Sequence, residues 1–297
     1  MGHPPLQKKT DLLPYALITP ALAITVAIIF LPMFRTITYS FSQYILYKPQ
    51  EVGYIGFDNY VTAFSDPLFW SSLTHTFVWI ISIILFQFLL GLTTALLLNR
   101  NFIGRGIARS LILIPWVTPS VITALMWRWM YDGNYGLINQ ILSKAGIIRE
   151  FIPFLAQSST AMASIIVALI WQGFPFFAIM LLAGLQAIPE ELYEAAEIDG
   201  ATKPQSFFRI TVPMLKPVIL TTILLRTIWV ANSLDVILIM TGGGPGYSTH
   251  TLPVYSYVKA YKGMDFGYSS TLAVLLTILL MIIVTGYVRS ILKSQEA

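Results

Sequence analysis

The stretch EAAEIDGATKPQSFFRITVP, residues 194–213, lies between two long apolar segments. With Glu190 and Glu191 just before it, it holds five of the chain's 14 acidic residues. Residues 189–199 read as one short helix: Pro189 suits its first turn, and Glu190 and Glu191 face the positive end of its dipole. Gly200 supplies a left-handed stop. A second short helix is expected from about Pro204 to just before Pro213. Leu192, Ala195, Ala196 and Asp199 share one side of the first helix, where two adjacent alanines leave a surface that another protein can approach closely. Phe207, Phe208 and Ile210 give the second helix an apolar side. On these residues alone two readings stand: a docking knob for a partner, or an amphipathic loop lying on a membrane.

Composition names the solvent. Of 297 residues, 56% are hydrophobic and 11% charged, with a mean hydropathy of +0.72. A soluble domain needs about 25% charged residues to face water, so most of this surface faces lipid. Cysteine is absent, which excludes disulfides and thiolate metal sites. His3, His75 and His250 are scattered singly, and no metal site is expected from them. The net charge of +4 is unclustered, so no nucleic-acid face is expected either.

A spanning helix needs about 20 mostly apolar residues. Six stretches qualify: 13–34, 76–98, 110–130, 160–182, 218–240 and 271–288. The apolar run of the first continues past its only small-x-small triplet, residues 21–23, so it reads as an uncleaved span. Pro20, Pro115, Pro119 and Pro175 fall inside spans, where neighbouring helices re-satisfy the freed carbonyls. Lys8, Lys9, Arg100, Arg105, Arg109, Lys203, Arg209, Lys216, Arg289 and Lys293 occupy the shorter set of connecting segments. The other set is longer and sparser in bases. The positive-inside rule therefore places both termini, and residues 189–213 with them, in the cytoplasm. Outside, Tyr60, Phe64 and Phe69 are spaced to share one side of a helix at headgroup level, as an interfacial anchor or a docking surface. The chain reads as one membrane domain over 1–297, all-α with six spans, without a repeat.

The acidic loop carries a further pattern. Glu194-Ala195-Ala196, Gly200 four residues on, and Ile210-x-Val212-Pro213 after nine more resemble the EAA signature of binding-protein-dependent ABC importer permeases. The family form ends Ile-x-Leu-Pro, so Val212 is a conservative departure. GFDNYVTAFSDPLFW, residues 56–70, is similar to the first external segment of sugar-importer permeases. Leu234-Asp235 and TGGGPGYST, residues 241–249, resemble the end of their fifth span. These place the chain near the maltose- and glycerol-phosphate-type first permease subunits, without the extra spans and large external domain of the maltose type. The resemblance implies the type I importer fold in a bacterial or archaeal cytoplasmic membrane. It implies import of a sugar or sugar-like solute from an external solute-binding protein. The implied partners are a second homologous permease and two ATPase subunits, or an ATPase homodimer. It makes Glu194, Ala195, Ala196, Asp199, Gly200, Ile210 and Pro213 the coupling helix seated in the ATPase. ATP and Mg would belong to those partners, with no cofactor held by this chain.

TGGGPG lacks the Gly-Lys-Ser/Thr of a phosphate loop and reads as a tight external turn. No nucleophile constellation is visible, so no catalysis is expected in this chain. An ion-coupled secondary transporter is the alternative; it calls for paired intramembrane acids and repeated halves, and Asp235 alone is a clear intramembrane acid. A membrane enzyme calls for polar catalytic groups at one face.

Two helix faces mix polar groups with rings. Leu169, Gln172, Gly173 and Phe176 stand at i, i+3, i+4 and i+7, and Arg226, Trp229, Val230 and Ser233 repeat the spacing. Such faces suit a sugar, and they equally suit helix-to-helix packing. The resemblance to the maltose type implies solute-lining roles for Trp116, Leu169, Gln172, Gly173, Phe176, Arg226, Trp229 and Val230. Of these, Gln172 and Trp229 are the expected contacts. Arg226 is either a ligand contact or a gating or structural residue. Many relatives have an acid where Trp229 stands, a departure that bears on selectivity. Asp235, nine residues beyond Arg226 and about 13 Å along a helix, cannot pair with it and reads as structural.

Overall fold

The computed structural model describes residues 13–295, and these are almost wholly helical. Lys8 and Lys9, which bear on orientation, lie outside the described residues. Among the described residues, five helices are long and apolar enough to cross a membrane: Leu17–Ser40, Pro67–Asn99, Ala161–Gln186, Lys203–Ala231 and Phe266–Arg289. Arg105–Val117 and Ser120–Met130 make a sixth if counted as one broken span, because they meet at 90°.

The bend has a local cause. Pro119 has no N–H to continue the ladder and forces Thr118 into an extended conformation (φ −67°, ψ 123°). The continuous apolarity of residues 110–130 concealed it.

A second break falls where one span was expected over 218–240. The fifth helix stops at Ala231, and a short helix, Asp235–Met240, restarts after three residues. Ser233 therefore stands beyond the helix end and does not extend the Arg226 face.

The second and fourth spans pack along their lengths and form the centre of the fold. Trp79, Ile83, Ile165, Phe177 and Leu181 are fully buried between them and their neighbours. Gly91 makes the close approach possible: a Cβ there would stand 2.3 Å from the Cβ of Phe177. A smaller core beneath the outer segments joins Ala63, Phe69, Leu252, Tyr255, Tyr268 and Leu272.

That core corrects the reading of residues 57–70. The first outer helix runs Asp58–Ser65 and ends, and Pro67 opens the second span with Asp66 as its cap. Asp66 accepts from the Leu68 amide at 2.8 Å and from the hydroxyls of Tyr255 and Tyr268. Phe69 thus turns inward, 3% exposed, while Phe64 and Trp70 stay at the surface. The three rings do not share one exposed face. The glycine-rich segment is a tight turn, with Gly242, Gly243 and Gly246 all at positive φ.

Candidate functional site

Two sites emerge: a ring-and-arginine cluster among the central helices, and an exposed helix pair at one end.

The cluster forms where the third, fourth and fifth spans meet. Trp116 stacks on Phe176 with ring centroids 4.9 Å apart. Trp229 stands 5.2 Å from Phe176 and 5.9 Å from Trp116, closing a triangle of rings. The Arg226 guanidinium lies 5.4 Å from the Trp116 ring and 5.9 Å from that of Trp229, within cation–π reach of both. Trp229 is 46% exposed, whereas Arg226 is 8% exposed. Four residues expected to line a path are therefore brought together, with a charge held behind an accessible aromatic wall.

The other expected residues take supporting places. Gln172 turns to the broken span and donates at 3.1 Å to the carbonyl of Thr118, the extended residue at the break. Gly173 underlies Arg226: a Cβ there would come within 2.3 Å of its Nη2. The Leu169 and Val230 side chains are packed in the core, and their carbonyls accept from Gln87 and from the Trp79 indole. Asp235 does not meet Arg226. It accepts from Ser120 across the two breaks and from Ser233 at 3.3 Å.

The residue that sequence reasoning missed is Gln87, fully buried in the second span. It accepts from Arg226 Nε at 3.0 Å. No periodicity marks it, because its partner is 139 positions away. A lone amide in an apolar run was the available signal.

The exposed pair is built as its residues dictate. The first helix runs Glu190–Ile198, with both acids in its first turn, and has no buried residue. Gly200 at φ +75° ends it, while the Ala201 amide reaches the Ala196 carbonyl at 2.8 Å. Glu194, Ala195, Asp199 and Gly200 are exposed and Ala196 is partly so. Ile198 is 87% exposed and Phe208 69%, an apolar surface in a charged loop. Tyr193 and Thr211 join the two arms at 2.8 Å.

The second arm differs from expectation. It does not end before Pro213 but runs from Lys203 straight into the fifth span. A π-helical turn, Phe207–Thr211, absorbs the proline, with the Val212 amide reaching back to the Phe207 carbonyl. Ile210 and Pro213 lie on this continuous rod, which links the exposed pair mechanically to Arg226 and Trp229.

Comparison with known proteins agrees with this architecture. A family model described as the binding-protein-dependent transport system inner membrane component matches residues 87–294. The chain is 38% identical over 280 residues to the sulfoquinovosyl glycerol transport system permease protein SmoG of Agrobacterium fabrum, covering 94% of this chain and 90% of the relative. It is 36% identical over 275 residues to the trehalose/maltose transport system permease protein MalF of Thermococcus litoralis, covering 93% and 92%. In fold it is similar to a chain of a bacterial ABC transporter involved in import of the acidic polysaccharide alginate, with a TM-score of 0.83, 24% identity and 96% of each chain covered. The chain belongs to the binding-protein-dependent transport system inner membrane component family and is a multi-pass permease subunit of an ABC importer.

Proposed function

We propose that this permease carries a sugar or sugar-like solute from an external binding protein into the cytoplasm. The observation that carries the reading is the cluster of Trp116, Phe176 and Trp229 around Arg226. Rings stack on the apolar face of a sugar while N–H donors bond its hydroxyls. Relatives named for sulfoquinovosyl glycerol and for trehalose/maltose support the same solute class.

The exposed helix Glu190–Ile198 is the seat for an ATPase subunit. Ala195 and Ala196 allow close approach, and Ile198 and Phe208 supply apolar area that binding would remove from water. Hydrolysis of ATP with its Mg belongs to two such ATPase subunits, and a second permease of the same family completes the membrane part. When the ATPases close, a push on the loop travels through the rod Lys203–Ala231 to the residues that face the solute. Both termini, and the coupling residues, lie on the cytoplasmic side. The reading is tested by co-purifying the chain with its ATPase in liposomes and measuring uptake of trehalose, maltose and sulfoquinovosyl glycerol with ATP inside. Uptake of one or more supports the sugar reading; uptake of none, in a complex whose ATPase responds to the loaded binding protein, excludes those sugars.

A further inference from the structure

We propose that Gln87 is the positioning residue that aims Arg226 at the solute; this rests on the cluster being part of the path. The geometry is a three-helix clamp. Gln87 Nε2 donates to the Leu169 carbonyl of the fourth span at 2.6 Å, and Gln87 Oε1 accepts from Arg226 Nε of the fifth at 3.0 Å. Both ends of the amide are thereby used, and its donor and acceptor roles are fixed by their partners.

Gly173 is the third element. A Cβ there would stand 2.1 Å from Gln87 Nε2 and 2.3 Å from Arg226 Nη2, so the fourth span is notched to let the pair lie flat against its backbone. The consequence for Arg226 is specific. Its inward donor, Nε, is taken by Gln87, while its terminal nitrogens donate to no group among the described residues. Nor does any carboxylate among the described residues pair with it, the one ion pair there being Lys48–Glu51. A neutral acceptor on Nε fixes the plane of the guanidinium without cancelling its charge. The fork is left charged and undercommitted between the Trp116 and Trp229 rings, with hydrogen-bond capacity for hydroxyl or anionic oxygens of a passing solute.

The test uses the assembled complex with its binding protein and two variants: Gln87→Met and Arg226→Met. One readout is spectroscopic and independent of the solute. With fluorotryptophan in this chain, the fluorine resonances of Trp116 and Trp229, assigned through their phenylalanine variants, report the guanidinium's place. Q87M and R226M shift both resonances. The second readout is solute delivered per ATP hydrolysed, with trehalose, maltose and sulfoquinovosyl glycerol as probes. Q87M lowers that ratio about tenfold, with stimulated ATP hydrolysis within about twofold, and the double variant Q87M/R226M is no worse than R226M alone. If Q87M does not assemble, Gln87→Asn, whose amide stops one methylene short, carries the same two readouts. Unmoved resonances in Q87M alongside shifted ones in R226M overturn the proposal. If R226M and Trp229→Ala both leave delivery unchanged, it is the placing of the cluster on the path that fails.

Discussion

Ser120 donates to the carboxylate of Asp235 across the gap between two broken helices. One break is at Thr118–Pro119 in the third span and the other at residues 232–234 in the fifth. Asp235 thus sits at the first turn of its own short helix and against the first residue of Ser120–Met130, where both dipoles favour a negative group. Asp235→Ala is expected to cost about 1.5–3 kcal/mol, the range for hydrogen bonds to a charged group. Asp235→Asn should cost less, because it keeps an acceptor. Thermal unfolding in detergent checks the order, and equal midpoints for both variants would contradict it.

Gln172 and Trp229 should separate in their effects. Gln172→Ala leaves the Thr118 carbonyl without its 3.1 Å donor and is expected to destabilise the fold by about 1–3 kcal/mol. Trp229→Ala removes a half-exposed ring and should change the unfolding midpoint little while lowering uptake. The check is uptake and midpoint measured together on each variant.

These two residues show how far the sequence reaches. Their helical spacing with Gly173 and Arg226 was legible, and so was the impossibility of an Arg226–Asp235 pair. The direction each side chain takes was not, because it depends on breaks that a hydropathy run hides. Pro119 breaks its span by 90°, whereas Pro175 lies inside an unbroken helix. The two prolines look alike in sequence and differ in what surrounds them. Pro213 likewise invited a helix end, and a single π-helical turn carried the helix through it. The first arm of the exposed loop was read nearly whole, since acids, alanines and Gly200 act through local rules. Gln87 was passed over for the opposite reason: its partners come only with the tertiary fold.

Stability should depend on pH through His250, which is 4% exposed. Burial pushes its imidazole down to about 4 from the ordinary 6.5, with His75 and Lys262 acting in the same direction. The unfolded chain takes up a proton near the ordinary value and the folded chain only near 4. Stability is therefore fully present above about 6.5 and is lost as pH falls toward 4. The unfolding midpoint should drop between about pH 7 and about pH 5. His250→Asn should flatten that part of the dependence; an undiminished slope in the variant would contradict it.

Sidedness can be read without background, because the chain has no cysteine. A single cysteine at position 199 should resist an impermeant thiol reagent applied to intact cells and react once the membrane is opened. Labelling from outside would invert the orientation and remove the ATPase seat.

On the proposed function, the helix Glu190–Ile198 and its Gly200 stop transmit ATP hydrolysis to the path. Gly200 stands at φ +75°, a conformation that a β-branched residue adopts only with strain. Ala196→Trp instead fills the surface on which a partner must sit. The measurement is ATP hydrolysis stimulated by the loaded binding protein, with uptake, in liposomes holding the complex with Ala196→Trp or Gly200→Val. Both variants should still bind the loaded binding protein, yet lose stimulated hydrolysis and uptake together. Stimulated hydrolysis and uptake at wild-type rates in both variants would contradict the claim.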